Sequence, residues 1–330
     1  MLEGDQTTDV RYATTLGLAG HTCSLRTDSM RLMEIAGEFF PSGQNRDVPV
    51  SRAAITLLSG CRRGPVPSPC SFPIFRGRNE FVHADYGHEG SVWFDLKTRE
   101  VAGSLSDRLI ADEAYFRRAV LAVIAGILAP SLGVIALHAG CVVRDGKAIL
   151  LAAPSGVGKS TISLALALRG WSLLSDDWTF ISDAPDGLSV WGMQTSIKLL
   201  PDARDFFPEL SALSPAISLN GELSYEIDPW SLFGVHRAID ATPRGIVFLN
   251  RANESGTHVL HVSHSGEKET MKALLEEIEE QPEAIAEQSR TRRSLMQQFC
   301  LLPALKMRFR GTPAVIAAGL DEILTEQLCA

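Results

Sequence analysis

Residues Ile149–Asp177 read ILLAAPSGVGKSTISLALALRGWSLLSDD. The stretch opens with an apolar run of strand character, passes a Gly/Ser turn, and continues as SerThrIleSerLeuAlaLeuAlaLeu, whose spacing suits a helix. The turn, Ala153-Pro154-Ser155-Gly156-Val157-Gly158-Lys159-Ser160, follows the phosphate-cradling pattern GxxxxGK[ST], with Ala153 where the pattern has its first Gly. Gly156 and Gly158 let backbone N–H groups curl toward an anion without a Cβ in the way, and the helix that follows turns its positive end to the same point. From there Lys159 can reach the β- and γ-phosphates and the Ser160 hydroxyl can take a place on Mg²⁺. A nucleotide would thus be held by Pro154, Ser155, Gly156, Val157, Gly158, Lys159, Ser160 and Thr161. The plainer alternative is a Gly/Ser-rich turn with an incidental lysine; the order Gly-x-Gly-Lys-Ser between strand and helix speaks against it.

Asp176 and Asp177 close the strand that starts at Trp171. If that strand is a parallel neighbour of the one entering the loop, both carboxylates arrive at the loop's edge of the sheet. Adjacent strand residues point to opposite faces, so the two serve different ends: one holds Mg²⁺, the other accepts a hydroxyl proton. Upstream, His138 lies in ValIleAlaLeuHisAlaGlyCysValVal, an apolar run that reads as a buried strand. By composition alone, such a His is a satisfied core residue.

The string LHAGCVV…LLAAPSGVGKSTISLALALRGWSLLSDD resembles the catalytic core of HPr kinase/phosphorylase and its divergent serine-kinase relatives. The resemblance spans roughly residues 110–330 and is strongest over 137–177, where His, loop and Asp pair come in order. It implies a P-loop-containing α/β catalytic domain with a mixed sheet and an ATP- and Mg²⁺-dependent phosphotransferase. It further implies Asp176 as the base that deprotonates the acceptor, Asp177 as a magnesium or phosphate partner, and His138 as a positioning group beside the transferred phosphate. The family's Glu-Ile-Arg-Gly-Leu-Gly-type stretch has no copy here; the chain instead reads WGMQTSIKLLP over Trp191–Pro201. That Lys-bearing version resembles the divergent relatives and would place Lys198 near the phosphates. Arg244, ahead of the apolar strand Gly245–Leu249, takes the place of a functional Arg in the family, with Arg251 at the strand's far end as the competing candidate. Homo-oligomers are the family precedent.

The 330 residues suffice for two cores. We place a strand-rich α+β region at 1–108, for oligomer contact or substrate selection, and the catalytic domain at 109–330. A composition 45% hydrophobic and 21% charged fits a packed protein, and a net charge of −8 without a basic stripe argues against nucleic acid as a partner. The polar, acidic N-terminus is no secretory signal, and the apolar stretch Ala119–Ala139 splits at Pro130 into a helix and a strand rather than crossing a membrane. Six cysteines without CxxC spacing read as reduced thiols of a cytoplasmic protein. Neither His83, Asp85 and His88 nor the His258, His261 and His264 series follows a metal-ligand rule, and strand alternation divides the latter between two faces.

In the N-terminal region a helix is expected to start at Thr27-Asp28-Ser29, and strands are expected near Val48–Thr56, Ser71–Phe75, Glu80–Ala84 and Ser91–Leu96. Downstream, a hairpin covers Trp178–Trp191, Pro208–Gly221 is a loop that could serve as a lid, and helices cover Gly266–Glu280, Ala284–Gln298 and Pro313–Leu328. The leading expectation is a kinase acting on a hydroxyl, most simply a serine of a peptide, protein or free amino acid. An ATP-hydrolysing subunit lacks support, since no LSGGQ-type signature follows and the acidic pair comes one helix after the loop. A nucleotide-sensing regulator is the remaining alternative.

Overall fold

A computed structural model of the chain describes residues 10–41, 53–60, 73–193, 195–219, 221–252, 259–279 and 292–328. Two compact units divide at Leu132/Gly133.

The first unit is a seven-stranded sheet made of β1 (Tyr12–Leu18), β2 (His21–Thr27), β3 (Ala53–Gly60), β4 (Ile74–Arg78), β5 (Phe81–Asp85), β6 (Gly90–Asp95) and β7 (Glu100–Ser106). Their order is β1-β2-β3-β7-β6-β5-β4, with β2, β3 and β7 parallel. Helix α1 (Met30–Phe39) starts where the sequence places it: the Ser29 hydroxyl accepts the Leu32 N–H, and Leu32, Ile35, Ala36 and Phe39 turn inward at helical spacing. After the short α2 (Asp107–Ala111) comes α3 (Glu113–Leu132), long and apolar enough to cross a membrane, yet 72% of its most apolar window is buried inside the fold. The Tyr86 hydroxyl donates to Ala119 O of this helix at 2.6 Å, which ties it to the sheet of the first unit. The division therefore falls after α3, whereas the sequence boundary at 108 falls before it.

The second unit alternates strand and helix. Its large sheet uses β8 (Ile135–Leu137), β9 (Ala139–Arg144), β10 (Lys147–Ala152), β11 (Ser172–Ser175), β12 (Thr179–Ala184) and β13 (Gly187–Gly192). A small separate sheet holds β14 (Ile197–Leu199), β15 (Ala216–Ile217) and β16 (Leu223–Ile227), and the large sheet continues with β17 (His236–Arg237), β18 (Asp240–Arg251), β19 (Val259–Ser265) and β20 (Ala304–Arg310). The helices are α4 (Lys159–Ala167), α5 (Pro229–Phe233), α6 (Glu267–Glu279), α7 (Arg293–Cys300) and α8 (Pro313–Gln327). The large sheet runs β17-β11-β9-β10-β18-β13-β12-β8, with β20 joined to β18 and β19 to β20.

Strand direction is mixed. β10, β18 and β20 are parallel; the apolar centres of β10 and β18 suit burial on both faces, while β20 alternates, with Lys306 and Arg308 on its outer face. β9 is antiparallel to both β10 and β11. The sequence expectation that the Asp-pair strand lies directly beside the loop strand is thus corrected: β11 runs in the same direction as β10 but one strand away. The cause is local, since Asp145 and Gly146 both take positive φ and fold β9 back onto β10 before any parallel partner can dock there. The edge is unchanged, so the C-terminal ends of β10 and β11 still meet. Helix α4 packs on β9, β10 and β11, and α8 packs on α4; Trp171, Leu164, Leu320 and Leu324 are among the buried residues of this layer.

Two further expectations change. Pro208–Gly221 is no open loop: a 3₁₀ turn at Pro208–Ala212 leads into β15, which pairs with β16. The helix expected over Ala284–Gln298 is described only from Arg293, and most of the expected span lies outside the described residues.

Candidate active site

The glycine loop leaves β10 at Ala152 and enters α4 at Lys159. Gly156 takes φ +78° and Gly158, the residue that caps the helix, φ +112°. A Cβ on either would meet nothing within 4 Å, so both glycines are required by backbone conformation rather than by crowding. Pro154, Ser155 and Gly156 are exposed, while Val157, Gly158, Ser160 and Thr161 are half-buried, presenting the first turn of α4 to solvent. Lys159 differs from all of these. Only 8% of its side chain is exposed, and its ammonium has no hydrogen-bond partner among the described residues. Burying a charge that way is costly unless an anion completes it.

The acidic pair follows β11. Asp176 is 3% exposed, and its carboxyl is pushed up to about 6, first by burial and then by the charge of Asp177. Lys159, the Ser160 hydroxyl and the Lys198 amide pull the other way. The Lys198 N–H donates to Asp176 Oδ2 at 3.3 Å, and Asp176 Oδ1 has no hydrogen-bond partner among the described residues. Asp177 is nearly half exposed, and its Oδ1 stands 3.7 Å from Lys159 Nζ and 3.6 Å from His138 Nε2. The two neighbouring carboxylates thus occupy different environments, one dry and one wet.

His138 is not the core residue that its apolar surroundings suggest. Its side chain is 38% exposed, because the expected single strand breaks at this residue: β8 ends at Leu137 to pair with β12, and β9 begins at Ala139 to pair with β10 and β11. The imidazole tilts against Trp178, ring centres 5.6 Å apart. Behind it the sequence reading misses three residues. A Cβ on Gly140 would stand 2.9 Å from Ser163 Oγ and 3.1 Å from Asp176 O, so this glycine makes room for the Asp176 main chain and for Ser163 of α4. Ser175 and Thr179 meet each other at 2.6 Å, and the Thr179 hydroxyl donates to Ala139 O at 2.8 Å. The Gly of LHAGC was the one readable signal; the hydroxyl pair had none.

Two candidates are placed otherwise. The Lys198 ammonium pairs with Glu222 rather than pointing to the loop, and its contact with the acidic pair is made by its amide. Arg244 is exposed at the register shift between Ala148 and Ile149, level with the start of β10. The loop leaves the other end of that strand, so Arg244 belongs to the wrong edge. Arg251, past the register pair Ala152–Phe248, closes β18 on the loop's edge. For parallel strands the C-terminal ends share an edge, which favours the second arginine over the first.

Among the described residues no three His, Cys, Asp or Glu side chains cluster as metal ligands. Asp85 instead pairs with Arg76, and His83 stacks on Trp93 at 3.8 Å. His258 lies outside the described residues, as does the side chain of His261. Mg²⁺ needs no such cluster: one or two carboxylates, a hydroxyl and phosphate oxygens suffice, and Ser160, Asp177 and the unpartnered Asp176 Oδ1 are of that kind.

No protein-family model matches the chain, and no curated protein matches it. Among solved structures, the chain is similar to the HPr(Ser) kinase/phosphatase from Coxiella burnetii, at 16% identity and a TM-score of 0.29, over 57% of this chain and 95% of that one.

Proposed function

We propose that the chain is an ATP-dependent kinase that transfers the γ-phosphoryl group to a hydroxyl acceptor, a serine of a peptide or protein or a small molecule bearing that group. One observation carries the reading: a buried lysine ammonium and a buried carboxylate oxygen, both without hydrogen-bond partners among the described residues, converge where a glycine loop enters a helix. The order of motifs along the chain supports it independently.

In this reading the loop amides and Lys159 hold the terminal phosphates of the donor and spread their charge. Ser160 and Asp177 would hold Mg²⁺, which when bound supplies further charge neutralisation at the phosphates. Asp176 takes the proton of the acceptor hydroxyl as its oxygen forms a bond to phosphorus; the bond to the donor's bridging oxygen breaks, and the nucleoside diphosphate leaves. A carboxyl shifted up to about 6 by burial is a stronger base than a free aspartate and is still ionised at neutral pH. His138, held beside Asp177, faces the transferred group.

The test is incubation of γ-labelled ATP, GTP or labelled pyrophosphate with a panel of serine-bearing peptides, proteins and small molecules. Label is expected on an acceptor hydroxyl with the parent chain and absent with Asp176→Asn, which should still bind nucleotide. Label found only as free phosphate assigns the chain to ATP hydrolysis instead, and binding without turnover assigns it to nucleotide sensing.

A further inference from the structure

We infer that Thr179, which reaches neither donor nor acceptor in the proposed reaction, is a positioning residue for it: its hydroxyl holds open a gap in the sheet from which His138 and the aspartate pair emerge. This rests on the phosphotransfer reading for its consequence, but the gap itself is a matter of geometry.

Two antiparallel pairings flank the gap. On one side β8 pairs with β12, Leu137 opposite Thr179; on the other β9 pairs with β11, Cys141 opposite Ser175. Three residues intervene on each segment: His138, Ala139 and Gly140 on one, Asp176, Asp177 and Trp178 on the other. The register is the same on both sides, so nothing in chain length prevents the ladder from running straight through, with Ala139 opposite Asp177. It does not run through. The Ala139 carbonyl receives the Thr179 hydroxyl at 2.8 Å, and the Ser175 hydroxyl, 2.6 Å from that of Thr179 and 3.4 Å from the same carbonyl, backs it up. Thr179 is fully buried and Ser175 nearly so.

A buried carbonyl must find a donor. With the hydroxyl present, Ala139 O is satisfied while the segments stay apart, and His138 and Asp177 project to solvent with 3.6 Å between Nε2 and Oδ1. Without it, the nearest remedy is for the two segments to zip together. That would draw both side chains into the sheet and turn Asp176 away from Lys159. The glycine loop lies on a different segment and would be unaffected.

The experiment compares Thr179→Val, which keeps the shape and removes the hydroxyl, with Thr179→Ser, which keeps the hydroxyl. MgATP is the probe of turnover, read as phosphate transferred or released to water, and ATP in chelator is the probe of binding. Thr179→Val is expected to bind ATP in chelator within roughly threefold of the parent while kcat with MgATP falls roughly tenfold or more, and Thr179→Ser to recover most of the loss. Unchanged kcat in Thr179→Val, an equal loss in Thr179→Ser, or a loss that follows nucleotide affinity overturns the inference. If Thr179→Val fails to fold, Ser175→Ala serves the same comparison, with a smaller loss expected in kcat alone and no loss overturning the inference. A parent chain that turns over no donor sinks the kinase reading and leaves the gap to be judged by a crystal structure of ligand-free Thr179→Val, or of Ser175→Ala where Thr179→Val does not fold. Closure of Asp177 N–H onto Ala139 O supports the inference; an undisturbed His138–Asp177 arrangement overturns it.

Discussion

The backbone N–H of Lys198 donates to Asp176 Oδ2 at 3.3 Å, while the Lys198 ammonium turns to Glu222. The contribution of this residue to the site is therefore made by its main chain, which almost any side chain preserves. Lys198→Met is expected to leave MgATP affinity within roughly threefold of the parent. Titration calorimetry checks this, and a much larger loss would mean that the ammonium leaves Glu222 for the nucleotide.

Asp176 is held in a protein environment that opposes its charge. Its folded pKa, about 6, lies above its ordinary 3.8. For an acid shifted upward, the native state loses stability as pH rises between these values and carries the whole penalty above them. In chelator and without nucleotide, Asp176→Asn should therefore be more stable than the parent near pH 8, on the order of 1–2 kcal/mol, with the difference vanishing in acid. Denaturant melts at the two pH values decide it; a variant less stable than the parent near pH 8 contradicts the electrostatic account.

Gly140 and Gly192 are both glycine because another segment approaches closely, but the two approaches differ in degree. A Cβ on Gly192 would stand 1.9 Å from Leu174 O, and main chain cannot yield that much. Gly192→Ala should cost roughly 3–5 kcal/mol or prevent folding. The clash at Gly140 is milder and falls on Ser163 Oγ and Asp176 O. Gly140→Ala is expected to fold and to lose nucleotide affinity. Circular dichroism with binding measurements separates the two cases, and a Gly140→Ala variant of full affinity would contradict the packing argument.

Much of this site is legible in the sequence because its chemistry is local. Strand, glycine loop and helix are contiguous, whereas the turn at Asp145-Gly146, equally local, is absent from the sequence expectations and sets β11 one strand away from β10. The illegible parts depend on partners elsewhere in the chain. Nothing in the run around His138 tells that its two halves pair with different strands, so the residue reads as core when it is half exposed. Arg244 and Arg251 flank one strand, and only its parallel direction beside β10 shows which end meets the loop. The Ser175–Thr179 hydroxyl pair acquires meaning only when Ala139 O comes between the segments. In the first unit, β1, β2 and β7 read as no more than part of a strand-rich region, because the pairings of β2 with β3 and of β3 with β7 bring together segments distant in the chain.

Asp321 on α8 joins three elements of the second unit. It accepts from Trp171 Nε1 at 2.8 Å, from Arg144 Nη1 at 2.6 Å and from Arg169 Nε at 3.1 Å. Burial works to raise its pKa, but these donors outweigh it and hold the carboxyl below its ordinary value. A depressed folded pKa gives stability that is complete above the unfolded value and is lost as pH falls through the folded one. Asp321→Ala should cost roughly 2–3 kcal/mol at neutral pH, less in acid. Equal losses at both pH values would show that the charge is not what matters.

The central claim is that Lys159, buried, 3.7 Å from Asp177 and without a hydrogen-bond partner among the described residues, awaits a polyphosphate beside Asp176. Equilibrium binding of MgATP to the parent chain and to Lys159→Met tests it most directly. The account predicts saturable binding by the parent and a loss of roughly a hundredfold in the variant, about 3 kcal/mol for one charge-assisted contact. Equal affinity in both proteins, or no binding by the parent, would contradict it.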